Sequence, residues 1–254
     1  GRVVGIDENL QEAVIDAVAI ITTNYASGRS EAWVQSVNED LWQKGQLTSN
    51  SAALTVPHVL ASAALPMFFP AISLGGQWHG DGGIRLSAPL SPAMHLGAER
   101  ILAVSPRAAD GAHTHSGTEP YPSPAQIAGV LLNSVFLDLL DFDALQMQRI
   151  NELLEQIAPA QWGGFRPVEV MVLRPQEDLG ELARAHELGL PKAFRFFGQG
   201  LENKREPSAD ALSMVMFEPE YLSLLMTLGE QDTAARSEEI RDFLLAPRRG
   251  DSHD

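Results

Sequence analysis

No cysteine occurs anywhere in the 254 residues. Its absence excludes disulfides, thiolate metal sites and a cysteine nucleophile, and it is compatible with a reducing compartment. Positive charge is scarce as well: 18 Lys and Arg stand against 33 Asp and Glu, for a formal net charge of −15. A chain this acidic is repelled by phosphate backbones and by anionic membrane surfaces, which argues against nucleic acid as a partner. Long apolar runs are missing too. No window approaches the ~20 apolar residues that a spanning helix needs. "AVAIITT" is too short, and "GVLLNSVFLDLL" is interrupted by Asn133 and Asp138. No basic start precedes an apolar core, so there is no signal-peptide pattern. These absences lead to the expectation of a cytoplasmic protein, at most peripheral to a membrane, with a small-molecule or lipid substrate left open.

What is present is the composition of a globular protein, 44% hydrophobic, with ample material for a core. Val14 to Thr23 is rich in β-branched residues and reads as a buried strand. "NYASGR" supplies a turn, and "EAWVQSV" alternates like a half-buried neighbour. "LTVPHVLASAALP" predicts a helix capped by Thr55, with Pro57 in its first turn and Pro66 as its stop. Ile72 to Leu74 and Gln77 to His79 fit a hairpin across Gly75-Gly76. "APLSPAMHLGAER" predicts a helix ending at Gly97, and Ile101 to Ser105 a further apolar strand. Residues 107–124 are polar and rich in Gly, Pro, Ser and His, as in a loop or boundary. Mostly helix is expected beyond it, with one more strand near 168–174 in "PVEVMVLRP" and a tail, "APRRGDSHD", expected to be disordered. Alternating strands and helices argue for an α/β layered fold with a largely parallel sheet.

The stretch with chemical content is "QWHGDGGIRLSAPL", residues 77–90. Asp81 stands among Gly80, Gly82 and Gly83, which permit dihedrals closed to other residues and allow close approach by a ligand or another backbone. One reading is an ordinary hairpin turn, since Asp-Gly is a common hairpin dipeptide. The other is a carboxylate presented to a nucleophilic hydroxyl.

The surrounding words bear on that choice. Ala61-Ser62-Ala63-Ala64-Leu65-Pro66, Phe69-Pro70, Asp81-Gly82-Gly83, Pro89-Leu90 and Leu96-Gly97-Ala98 succeed one another in an order and spacing that resemble the patatin-like phospholipases, bacterial type. "AIITTNYASGRSEAW" is similar to that family's strand ending in a Thr-Asp/Asn pair and its Ser-Gly turn. "PSPAQIAGVLLNSVFLD", "RPQEDLGELA" and "MFEPEYLSLLMTLGEQDT" are similar to its C-terminal segments. The resemblance implies a three-layer α/β/α sheet, of which residues 1–106 are the later half. A loop or boundary over 107–124 and a mostly helical region over 125–254 would complete the chain. It also implies a serine–aspartate dyad acting on lipid acyl esters without metal or organic cofactor, with Asp81 in the place usually held by a histidine.

The family's Gly-x-Ser-x-Gly elbow and its glycine-rich oxyanion loop do not occur in this chain. The nearest imitation, Gly28, Ser30 and Ala32 in "GRSEA", lacks the second glycine and leads into a strand, so Ser30 is rejected as nucleophile. The chain also opens at Gly1 without an initiator methionine. The expectation is therefore a C-terminal half whose nucleophile comes from an N-terminal polypeptide carrying the Gly-x-Ser-x-Gly serine, and which is inactive alone. The rival is a non-catalytic module that keeps the patatin shape and binds a lipid or a protein partner.

Other candidates carry less. Phe68, Phe69, Trp78 and His79 are core by default and otherwise candidates for lining an acyl pocket. His95 is expected to pack on its helix, and Arg85 either to bias head-group choice or to be exposed. His113 and His115 read as a solvated loop, because no carboxylate completes a ligand set beside them. Met214, Met216, Phe217, Tyr221, Leu224, Leu225 and Met226 read as packed core, with a lipid-facing role as the minority reading.

Overall fold

The computed structural model describes residues 3–37, 42–44, 47–66, 68–108, 138–186 and 213–246, with further helical residues at 127, 131 and 134. The chain divides into two units, residues 1–99 with 139–146 and residues 100–138 with 147–254. The first is a mixed α/β sheet with flanking helices; the C-terminal region is mostly helical.

In the first unit, helix α1 (Ile6–Gln11) leads to β1 (Ala17–Asn24) and β2 (Arg29–Ser36), then β3 (Gln43–Lys44), β4 (Leu47–Ser51), α2 (Val56–Ser62), β5 (Ile72–Leu74), β6 (Gln77–Asp81) and α3 (Ser91–His95). The six strands form one sheet in the order β3-β4-β2-β1-β6-β5. Its pairings are antiparallel except for β2 with β4. This corrects the expected largely parallel sheet, and the reason lies in the connections. Residues 25–28 join β1 to β2 and Gly75-Gly76 join β5 to β6, spans far too short for the crossover that parallel neighbours require. Gly75 and Gly76 both take positive φ, 58° and 82°, as a tight two-residue hairpin demands. The strand β4, in polar sequence "LTSNS", is not legible from the sequence pattern.

Strand β1 also departs from expectation. It begins at Ala17; Val14 is exposed, and its N–H turns back to the Asn9 carbonyl at 2.9 Å. The apolar residues 17–21 are half-buried, whereas Thr22, Thr23 and Asn24 are buried. Strand β2 alternates as expected. Ser30, Ala32 and Val34 are buried, and with Leu47 the latter two make an apolar cluster against Ile21, Trp42, Leu86 and Leu96. The opposite side of the same strand carries Glu31, Trp33 and Gln35.

Helix α2 is capped at Thr55 and holds Pro57 in its first turn, as expected, but it ends at Ser62, before Pro66. It packs on β1, β5 and β6. Helix α3 ends as read, with Gly97 at φ 95°.

In the second unit, β7 (Arg100–Val104) and β8 (Glu169–Leu173) pair in parallel. Helix α4 (Asp138–Glu155), whose residues 139–146 are counted with the first unit, contributes to the second unit Met147 and Leu154, seven residues apart and both buried, as one stripe of a helix should be. Asn151 of α4 bonds both the N–H and the C=O of Val168, at 3.0 and 2.8 Å, so a side-chain amide pairs the main chain of the residue just before β8. Helices α5 (Leu179–Ala185), α6 (Pro219–Ala235) and α7 (Ser237–Leu245) complete the described chain. Of the C-terminal apolar residues, Met216 and Tyr221 are buried with Ala183, while Phe217 and Met226 are exposed. His113, His115 and the RGD-bearing tail beyond Ala246 lie outside the described residues.

Candidate active site

Asp81 is the last residue of β6 and the N-cap of a 3-10 turn, Gly82–Ile84. It is therefore at the exit of a strand and not in a hairpin turn; the hairpin lies six residues earlier, at Gly75-Gly76. Its main chain is held on both sides. The N–H donates to the Ala64 carbonyl at 3.0 Å, and the carbonyl accepts the Thr23 hydroxyl at 2.8 Å. One carboxylate oxygen, Oδ1, accepts the Gly83 N–H at 2.8 Å, while Oδ2 has no hydrogen-bond partner among the described residues. Burial raises the carboxyl from an ordinary 3.8 to about 6, against the opposing pull of the Gly83 N–H. A carboxylate with one oxygen tethered, one open and a pKa near neutrality is suited to proton transfer.

The glycines act through space and not through dihedral freedom. Gly80, Gly82 and Gly83 are not among the glycines with positive φ. A Cβ on Gly80 would fall on the Tyr25 hydroxyl oxygen and 2.5 Å from its Cζ; one on Gly82 would overlap the Ile21 carbonyl oxygen and lie 2.8 Å from its carbon. Of the two roles expected for these glycines, close approach is the one observed at 80 and 82.

Strand register explains what surrounds Asp81. Thr22 stands opposite Asp81 on β6 and opposite Glu31 on β2, so the three share one side of the sheet. Two residues along, Asn24 and His79 face each other on that same side. There a polar seam runs across three strands and reaches β4. Asn24 Nδ2 donates to Glu31 Oε1 at 2.7 Å and to Gln77 Oε1, and Asn50 Nδ2 donates to Glu31 Oε2 at 3.1 Å. Asn24 Oδ1 also accepts the N–H groups of Ala26 and Ser27, which shapes the turn after β1. Trp33 Nε1 donates to the Thr22 hydroxyl at 2.8 Å, and that hydroxyl lies 3.0 Å from His79 Nδ1. Trp33 meets His58 and His79 edge-on, with ring centroids 5.0 and 5.6 Å away. Burial lowers the pKa of both histidines. It outweighs the Thr55 backbone contact at His58 and the Glu31 charge at His79, so both rings are neutral near pH 7.

The remaining sequence candidates fall in varied places. His79 is buried beneath this seam, 1% exposed, whereas Trp78 beside it is 60% exposed. Phe68 and Phe69 are half-buried in the turn after α2, their N–H groups on the Leu65 carbonyl. Arg85 is exposed, with Nε donating to the Gly28 carbonyl at 3.0 Å. His95 packs on Trp42, ring centroids 5.2 Å apart. Ser30 is buried in β2, and its Oγ has no hydrogen-bond partner among the described residues. Among the described residues no three His, Asp or Glu side chains are grouped to hold a metal ion, and no helix is long and apolar enough to cross a membrane. Sequence reasoning missed Thr22, Thr23, Tyr25, Trp33 and Glu31. The available signal was the polar run Thr22-Thr23-Asn24 closing an apolar strand.

An α/β unit that presents a half-buried carboxylate from a strand end is the class of structure defined so far. Residues 8–94, which contain that strand end, match the family model described as patatin-like phospholipase, so over this stretch the chain is similar to that family. No curated protein and no solved structure matches it.

Proposed function

We propose that this chain supplies the acid–base carboxylate, Asp81, of a serine–aspartate acyl hydrolase acting on lipid esters. A serine on a Gly-x-Ser-x-Gly segment outside this chain attacks the ester carbonyl. Asp81 takes the hydroxyl proton as the serine attacks and gives it to the departing alcohol as the acyl-serine forms; it then takes a proton from the attacking water and returns it to the serine oxygen as the acid is released. The observation that supports this reading is the Asp81 carboxyl itself: held at three points, open at Oδ2, and titrating near 6 within the family-matched segment. A base must be ionised to accept a proton, so activity rises with pH through about 6 and is level above it.

Asp81→Asn tests this in the polypeptide that carries both segments. Ester hydrolysis is expected to fall by roughly a hundredfold or more, with unchanged folding by circular dichroism. Retention of hydrolysis in that variant removes Asp81 from the chemistry. The second reading, a non-catalytic module binding a lipid or a protein, draws on the absence of a Gly-x-Ser-x-Gly elbow from this sequence. A fluorophosphonate probe with intact-mass detection separates the two. Labelling of an associated serine-bearing polypeptide favours the hydrolase, and a single unlabelled species favours the module.

A further inference from the structure

In a regular strand the N–H and C=O of one residue point to the same side, so both join the same neighbour. Asp81 breaks that rule. Its N–H goes to Ala64, on the chain segment after α2, while its C=O is held by a side chain of β1, the Thr23 hydroxyl at 2.8 Å. The β1–β6 register ends at this residue, with Thr22 opposite Asp81. Beyond it the main chain turns into the 3-10 segment that gives the Gly83 N–H to Oδ1. Thr23 is 3% exposed and faces Gly80 across the ladder, so its hydroxyl has no access to bulk water as an alternative partner. The Thr23 bond therefore acts at the peptide between the ladder and the turn, where nothing in the main-chain pairing of β1 and β6 fixes the orientation.

We propose that Thr23 is a positioning residue for Asp81: by holding the Asp81 carbonyl it sets the next peptide, brings the Gly83 N–H onto Oδ1, and so aims the open Oδ2. This deepens the reading of Asp81 as the acid–base group and rests on it for its catalytic consequence, but the geometry is testable without activity. Thr23 touches no substrate; it acts through the main chain of the residue that does.

Two substitutions separate this role from plain packing. Thr23→Val keeps the shape and deletes the hydroxyl; Thr23→Ser keeps the hydroxyl and deletes a methyl. Amide hydrogen exchange on this chain reads the turn directly. One neutral hydrogen bond corresponds to about a fivefold change in an opening equilibrium. In Thr23→Val, exchange at Gly83 is expected to speed up by about that factor while central β1 amides stay unchanged. Thr23→Ser is expected to match the wild type. In the valine variant the Asp81 carboxyl, tracked by carbon-13 NMR, should titrate below its value near 6 as it swings toward water. In the polypeptide carrying both segments, kcat should fall with KM unchanged.

Gly83 exchange and Asp81 titration unchanged in Thr23→Val overturn the proposal, as does a serine variant as loose as the valine one. Uniformly faster exchange along β1 also overturns it, because that is the signature of lost stability. Should Asp81→Asn retain hydrolysis while the valine variant loosens the turn, the catalytic reading fails and the clamp stands.

Discussion

Burying a carboxylate beside a single backbone donor favours its protonated form, and the folded chain carries that preference as a pH-dependent stability. Asp81 titrates near 6 when folded and near 3.8 as an ordinary side chain. Between those values the folded state binds the proton more tightly than the unfolded state. Stability from this group is therefore fullest below about pH 4, falls as pH rises through 6, and is level above. With allowance for partial solvent exposure, the loss is about 2 kcal/mol at most. Asp81→Asn keeps an oxygen for the Gly83 N–H and has no charge to desolvate. It should be about 1–2 kcal/mol more stable than the wild type near pH 8 and indistinguishable near pH 4. Urea midpoints at the two pH values measure this, and equal midpoints at pH 8 would show that the carboxylate is better solvated than its surroundings imply. His58 and His79 act in the opposite sense: burial depresses their pKa below 6.5, so their contribution is present above that value and lost on acidification.

At the scale of elements, the two glycines before and after Asp81 differ in what they make room for. Gly82 faces the carbonyl of Ile21, a main-chain group of strand β1, so a methyl there must push the 3-10 turn away from that strand. Gly80 faces the far end of the Tyr25 side chain, which can rotate into solvent because Tyr25 is already 45% exposed. Gly82→Ala should cost about 2–3 kcal/mol and Gly80→Ala about 1 kcal/mol or less; thermal denaturation of the pair ranks them, and a reversed order would contradict the packing. The same contrast shows how much the sequence makes legible. "DGG" announces a backbone needing room, and the hairpin at Gly75-Gly76, the Thr55 cap and the Gly97 terminus come from local turn and cap chemistry. The sheet's direction does not, because alternation of strand and helix says nothing about two-residue and four-residue connections unless their length is weighed. Nor does β4, since "LTSNS" becomes a strand only through its pairing with β2 and the Asn50–Glu31 bond. The seam around Asn24 is half-visible as a polar end to an apolar strand; its partners Glu31, Gln77 and Asn50 are brought to it by register alone.

Across the whole chain, the net charge of −15 sets how any lipid-bearing surface is approached. A basic residue near an anionic leaflet gains on the order of 1 kcal/mol, and an acidic one is disfavoured by a similar electrostatic argument. A hydrolase or lipid-binding module of this charge should meet its substrate as a monomer or in a neutral bilayer before it meets an anionic one. Sedimentation with phosphatidylcholine vesicles is therefore expected to carry down more protein than sedimentation with vesicles containing a large fraction of phosphatidylglycerol. Because surface charges are screened over about 10 Å at 0.1 M salt and about 3 Å at 1 M, the difference should shrink as salt is added. Stronger binding to the anionic vesicles at low salt would mean that the chain's few cations are gathered on one surface and outweigh its net charge locally. In that case head-group recognition, and not repulsion, would govern how the Asp81 site reaches a lipid ester.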